Sequence, residues 1–88
     1  MQKSTFTPEY AAFCKLLREH RERAGLSQVE LAKKIDETQS YVSKVERGER
    51  RIDLIQLRFF CMALGVGLGR FVETFEDAVR RGRPTGRR

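Results

Sequence analysis

Five side chains near the middle of the chain offer a shared chemistry: Gln39, Ser40, Ser43, Lys44 and Arg47. They fall at i, i+1, i+4, i+5 and i+8, so on a helix they share the side opposite Val42 and Val45. What they offer is hydrogen bonding, with positive charge gathered toward the C-terminal end. A glutamine bonds adenine through N6 and N7, a lysine reaches guanine O6 and N7, and a serine serves either. On an isolated helix the same row would also do as an ordinary solvated face. The surrounding elements must decide between the two readings.

Those elements lie in residues 27–47, SQVELAKKIDETQSYVSKVER. Ser27 is a good N-cap, and Glu30 stands three residues on, where a capping box requires it. Val29, Leu31, Ala32 and Ile35 then follow helical spacing. Asp36 and Glu37 interrupt the pattern. Thr38 is a second N-cap, and Val42 and Val45 mark the inner face of a second helix. Gly48 ends it, free to take positive φ. Each helix spans about two turns, too short to be stable alone. Both must be held by packing against the rest of the chain.

The run Leu26-Ser27-Gln28-x-Glu30-Leu31-Ala32, followed by residues 40–48, SYVSKVERG, resembles the XRE-type helix-turn-helix family, the Cro and lambdoid phage repressor DNA-binding domains. The resemblance spans about residues 13–72. It implies an all-α fold, a five-helix lambda-repressor-like domain with a helix-turn-helix. Ala32 would be the small residue where the two helices cross, and Val42 the plug between them. Gln39, Ser40, Ser43 and Lys44 match the usual base readers. Gln28 matches a glutamine that touches a phosphate, and Tyr41, Arg47, Arg50 and Arg51 complete the expected phosphate set. Arg21 and Glu46 match a pair that ties the first helix to the recognition helix by a salt bridge. The chain departs from the pattern at the turn, where Asp36 and Glu37 replace the usual glycine and apolar residue. Asp tolerates the left-handed conformation better than most residues, so the turn can still form.

Composition bounds the answer. Eighty-eight residues with 40% apolar content make one small domain, with a compact core and no room for an enclosed substrate pocket. No apolar run of about 20 residues exists to span a membrane, and the first ten residues lack the apolar core of a signal peptide. Cys14 and Cys61 match no metal or redox spacing, so reduced thiols are expected, and neither cofactor nor metal. Net charge is +6, but five arginines and no acid stand in residues 80–88, leaving +1 for residues 1–79. The folded part is therefore near neutral, and its basic residues must be arranged rather than abundant. Lys44, Arg47, Arg50 and Arg51 outnumber Glu46 and Glu49. Further on, Asp53, Glu73, Glu76 and Asp77 outnumber Arg58 and Arg70. That polarity suits one DNA face and one partner-facing side.

Around the motif, residues 1–6 read as a frayed start. Thr7-Pro8 reads as N-cap and N1 of a helix over residues 8–24. Phe13, Leu16, Leu17 and a partly buried, hydrogen-bonded His20 face inward, and Gly25 stops the helix. Asp53 caps a helix that runs to Leu64 and stops at Gly65, with Leu54, Leu57, Phe60, Cys61 and Leu64 as its core face. Ile55, Phe59 and Met62 form a second apolar row with no obvious partner within so small a domain. A last helix spans residues 68–79, where the resemblance assigns Leu68, Phe71 and Val72 to closing the core. Phe75 and Val79 continue that stripe. Ile55, Phe59, Met62, Phe75 and Val79 are expected to join in an exposed patch that forms a homodimer interface. The alternative is that the last helix folds back and buries them. Residues 1–79 form the domain, and residues 80–88 a disordered basic tail that attracts phosphates, reaches into a minor groove or serves only solubility.

The expected function is a sequence-specific DNA-binding transcription regulator. As a homodimer it would read a pseudo-palindromic operator with half-sites about 10 bp apart. A phage or mobile-element repressor and a restriction–modification controller fit equally. The alternative is an antitoxin that binds a toxin protein. An enzyme is not expected, since there is one histidine and no paired carboxylates or Gly-rich phosphate loop stand out. No sensor domain is evident, and a cytoplasmic, nucleoid-associated location is expected.

Overall fold

The computed structural model describes residues 7–82. Among them are five helices and no strand: α1 Pro8–Arg23, α2 Gln28–Lys34, α3 Gln39–Glu46, α4 Leu54–Leu64 and α5 Leu68–Gly82. Side chains fix where the first four begin. Thr7 Oγ1 accepts from the Tyr10 amide at 3.1 Å, with Pro8 at N1. Ser27 and Glu30 close a reciprocal capping box, Glu30 N to Ser27 Oγ at 3.0 Å and Ser27 N to Glu30 Oε1 at 2.8 Å. Those bonds hold the Glu30 carboxyl below its ordinary pKa. Thr38 Oγ1 accepts from the Tyr41 amide. Asp53 and Gln56 form a second capping box, of which the sequence reading had only the aspartate half.

Chain reversals use positive φ where required. Asp36 takes φ 59° in the α2–α3 turn, and Glu37 N returns to Ala32 O at 2.8 Å. The turn thus forms without glycine, at a residue type that tolerates the left-handed conformation better than most. Gly48, at φ 79°, ends α3 as expected.

The core draws on every helix. Leu16 and Leu17 of α1, Leu31 and Ala32 of α2, and Val42 and Val45 of α3 meet Leu57, Phe60 and Cys61 of α4 and Phe71 of α5. α2 packs chiefly on α3, and α1 on α5 and α3. His20 is half-buried, as expected, with Nδ1 3.0 Å from Leu16 O and its ring against Phe71. Cys14 and Cys61 are buried and unpaired, and burial raises both thiol pKa values.

Three expectations are corrected. Leu54 does not face the core: it is 61% exposed, because α4 begins with that residue turned outward and Leu57 supplies the first inward contact. Val72 is 41% exposed, leaving Phe71 as the buried residue of α5. The last helix continues to Gly82 rather than ending at Val79. Arg80 holds the extension, 3.8 Å from Glu76 Oε1 and 3.4 Å from Asp77 Oδ1 on the preceding turn. Residues 1–6 and 83–88, the expected frayed start and the rest of the basic tail, lie outside the described residues.

The Leu54 correction has a measurable consequence. Leu57→Ala should cost about 2–5 kcal/mol of unfolding free energy. Leu54→Ala should cost less than about 1 kcal/mol. Urea denaturation of the two variants checks this, and equal losses would return Leu54 to the core.

Candidate nucleic-acid interface

The site is built on α3. Val42 and Val45 are fully buried, and Tyr41 is buried against Phe60 with ring centroids 6.2 Å apart. These three fix the rotation of α3, so Gln39, Ser40 and Lys44 stand exposed and Ser43 half-exposed on its other side. The structure brings the four expected base readers onto one surface. Thr38 caps that helix, and Gly48 lets the chain leave it toward Arg50 and Arg51.

A chain of hydrogen bonds sets the height and tilt of this helix. Arg21 of α1 donates to Glu46 of α3 side-on, Nε to Oε2 at 2.6 Å and Nη2 to Oε1 at 3.1 Å. Its Nη1 also donates to Leu26 O at 2.9 Å. The two side chains are only 11% and 4% exposed. The bonds to Glu46 raise the Arg21 pKa despite burial. Gln28 Nε2 donates to the same Glu46 Oε1 at 2.9 Å. Gln39 Nε2 then donates to Gln28 Oε1 at 2.7 Å. One continuous path therefore joins the end of α1 to the first residue of α3.

The resemblance implied a phosphate contact for Gln28; its amide also bridges Glu46 and Gln39 within the protein and keeps one N–H. Gln39 keeps one amide N–H and its carbonyl oxygen for a base. That is the donor–acceptor pair adenine N7 and N6 require. Sequence reasoning missed the Gln28–Gln39 bond because it depends on how closely the two helix starts approach.

The expected phosphate residues divide. Arg50 stacks over the Tyr41 ring at 5.2 Å, beside α3. Arg51 turns toward α1 and stacks over Tyr10 at 4.2 Å. Burial raises the Tyr41 pKa above its ordinary value. Arg47 binds Glu49 through Nε and Nη2, at 3.0 and 3.1 Å, and its Nη1 donates to Ser43 Oγ. The Arg47–Glu49 bonds raise the guanidinium pKa and lower that of the carboxyl. Glu49 was counted from sequence only as a charge.

The five residues expected at a dimer interface also divide. Ile55, Phe59 and Met62 are 61%, 51% and 61% exposed along the outer row of α4. Phe59 and Met62 border a shallow depression with Lys34, Ile35 and Asp36. Phe75 is half-buried, its ring edge-on to Phe13 at 6.3 Å, and Val79 is half-buried too. Phe75 lines a separate cleft beside Tyr10, Phe13, Leu54 and Leu57. Among the described residues no group of His, Cys, Asp and Glu could hold a metal ion. No single helix there is long and apolar enough to cross a membrane.

Two short capped helices packed on each other, with Ala32 buried in the first, and the second with a buried inner face and an exposed hydrogen-bonding outer face, define a helix-turn-helix DNA-binding domain. Comparison with known proteins agrees. The helix-turn-helix family model matches residues 17–71. The control protein C.MunI of a Mycoplasma species is 35% identical over 63 residues, covering 72% of this chain and 81% of that protein. An XRE-family-like protein from Pseudomonas syringae pv. tomato superimposes with TM-score 0.74 at 39% identity, covering 78% of this chain and 84% of that one. The restriction–modification controller protein C.Esp1396I shares the fold, with TM-score 0.79 at 21% identity over 85% of this chain and 99% of that one. The chain belongs to the XRE-type helix-turn-helix family of DNA-binding transcription regulators.

The buried ion pair gives a second test. Glu46→Ala leaves Arg21 charged and unpaired, at a cost of about 3–5 kcal/mol, whereas removing both partners should cost less than the sum of the single losses. A double-mutant cycle by chemical denaturation measures this. Simple additivity would mean the pair is not coupled in solution.

Proposed function

We propose that the protein is a homodimeric transcription regulator of the restriction–modification controller type, binding a pseudo-palindromic operator. The observation that carries the DNA reading is the exposed row Gln39, Ser40, Ser43 and Lys44 on a helix locked from beneath. In this reading the row lies in the major groove and contacts base edges. Arg50 and Arg51 hold phosphates on either side of it, Tyr41 supports Arg50, and Gln28 orients Gln39 from the phosphate side. The likeness to the control protein C.MunI supports the controller assignment over a phage or mobile-element repressor.

The dimer is supported by the outer row of α4. Three large apolar side chains, each more than half exposed and spaced at i, i+4 and i+7, are costly to leave in water. A second copy of the chain would cover them. A two-fold dimer then presents two α3 helices to successive major grooves, about 34 Å apart, with half-sites about 10 bp apart.

Sedimentation of the wild type against Ile55→Glu/Phe59→Glu tests the dimer without disturbing Phe75, which packs on Phe13. The expected result is a wild-type dimer and a folded monomeric variant. A monomeric wild type would defeat the dimer reading and direct attention to a heterologous partner such as a toxin. On the operator, Gln39→Ala should cost about 1–3 kcal/mol and relax one base position. Arg50→Ala should weaken all sequences alike and lower the salt slope by about one. Unchanged preference after Gln39→Ala would overturn the docking.

A further inference from the structure

We propose that Arg47 is a guanine reader, oriented by Glu49 and Ser43, and not one of the phosphate clamps. This rests on the DNA reading above and adds a specific base contact to it. Three observations lead there.

The first is direction. Arg47 caps the C-terminus of α3, and its Nη1 donates to Ser43 Oγ one turn earlier. Ser43 belongs to the base-reading row. The guanidinium therefore folds back along the surface that enters the groove instead of extending toward the flanks of a duplex.

The second is the edge left open. Glu49 accepts from Nε and Nη2, the side edge of the guanidinium. With Nη1 giving one N–H to Ser43 and Nη2 one to Glu49, each terminal nitrogen keeps one N–H. A guanine edge offers O6 and N7 to such a pair, the commonest specific contact an arginine makes in the major groove.

The third is charge. A phosphate clamp gains from an uncompensated cation, since its contribution comes from counterion release. Arg47 carries a carboxylate at hydrogen-bond distance on the same loop, so the pair is formally neutral. Glu49 would be repelled by a phosphate seated on Arg47. A neutral base edge meets no such penalty. The carboxylate instead holds a flexible side chain in one orientation before the duplex arrives, which lowers the cost of ordering it on binding.

Arg50 stacks over the Tyr41 ring and Arg51 over the Tyr10 ring. The Glu49 carboxylate fork falls on the arginine that ends the recognition helix, beside the base-reading row.

The test is selection of bound duplexes from a randomised pool by the wild type, Arg47→Ala, Glu49→Ala and Gln39→Ala. Arg47 and Glu49 are both more than half exposed, so the fold should survive their loss. The wild type should select guanine at one position in each half-site. Arg47→Ala should lose that preference alone, with about a tenfold to hundredfold loss on the selected site. Glu49→Ala should weaken the same guanine preference even though it removes an acid from the DNA face. Gln39→Ala should relax a different position. The proposal fails if Arg47→Ala keeps every base preference and binds all sequences more weakly, with a salt slope reduced by about one. It also fails if Glu49→Ala merely tightens binding to all sequences alike. A wild type that selects no sequence would defeat the underlying DNA reading, and this proposal with it. A selected site whose positions all survive Arg47→Ala would defeat this proposal alone.

Discussion

The fork between Arg21 and Glu46 is the constraint on which the recognition surface depends. α2 has seven residues and α3 eight, lengths at which a helix gains little from its own hydrogen bonds. Burial of Leu17, Leu31, Phe60 and Phe71, at about 1.5–3 kcal/mol each, holds the domain together. An apolar contact, however, leaves a short helix free to slide or roll by small amounts. A two-bond fork with nearly buried ends does not. Desolvation offsets most of the attraction in such a pair, so its contribution is orientation. Glu46 passes that orientation on through Gln28 to Gln39, at the opposite end of α3 from the fork.

The same logic explains a DNA-binding face on a nearly neutral body. Charge alone would attract any duplex. Here the hydrogen-bonding groups are tied to one another before a partner arrives: Gln39 to Gln28, and Arg47 to Ser43 and Glu49. Ordering these side chains in the free protein reduces what binding must supply. The acids at this face are part of that ordering. Glu46 is buried beneath the row, and Glu49 holds a guanidinium at its end.

Features that depend on neighbours in sequence were legible. The caps at Thr7, Ser27, Thr38 and Asp53, the positive φ at Asp36 and Gly48, and the inward faces of α2 and α3 all follow from local rules. The Arg21–Glu46 pair was legible only through family resemblance, because its partners are 25 residues apart. What sequence misassigned lies mostly on α4 and α5. α4 is apolar on nearly all sides, so periodicity cannot say which of Leu54 and Leu57 turns inward. Phe75 continues the stripe of Phe71, yet Phe13 on a distant helix decides how far it is covered. Nothing in the segment around Gln28 reveals that its amide lies 2.7 Å from that of Gln39. The extra turn of α5 required the spacing of Arg80 from Glu76 and Asp77 to be weighed against the neighbouring glycine and proline.

The placement of aromatic residues on α4 bears on how reading and pairing would act together. Phe60 is fully buried and receives Tyr41 from the underside of α3. Phe59, its immediate neighbour, points outward among the residues proposed to meet a second copy. Consecutive residues of one helix therefore touch the recognition helix and the proposed dimer contact. Close-packed interiors transmit displacement instead of absorbing it, so the separation of two α3 helices across such a dimer would be set by α4 with little slack. A half-site spacing altered by one base pair would rotate one groove relative to the other by about a tenth of a turn. The domain offers no flexible joint between Phe59 and Tyr41 to follow that rotation. In the proposed dimer, operator spacing would follow from the rigidity of α4, as operator sequence would follow from the side chains of α3.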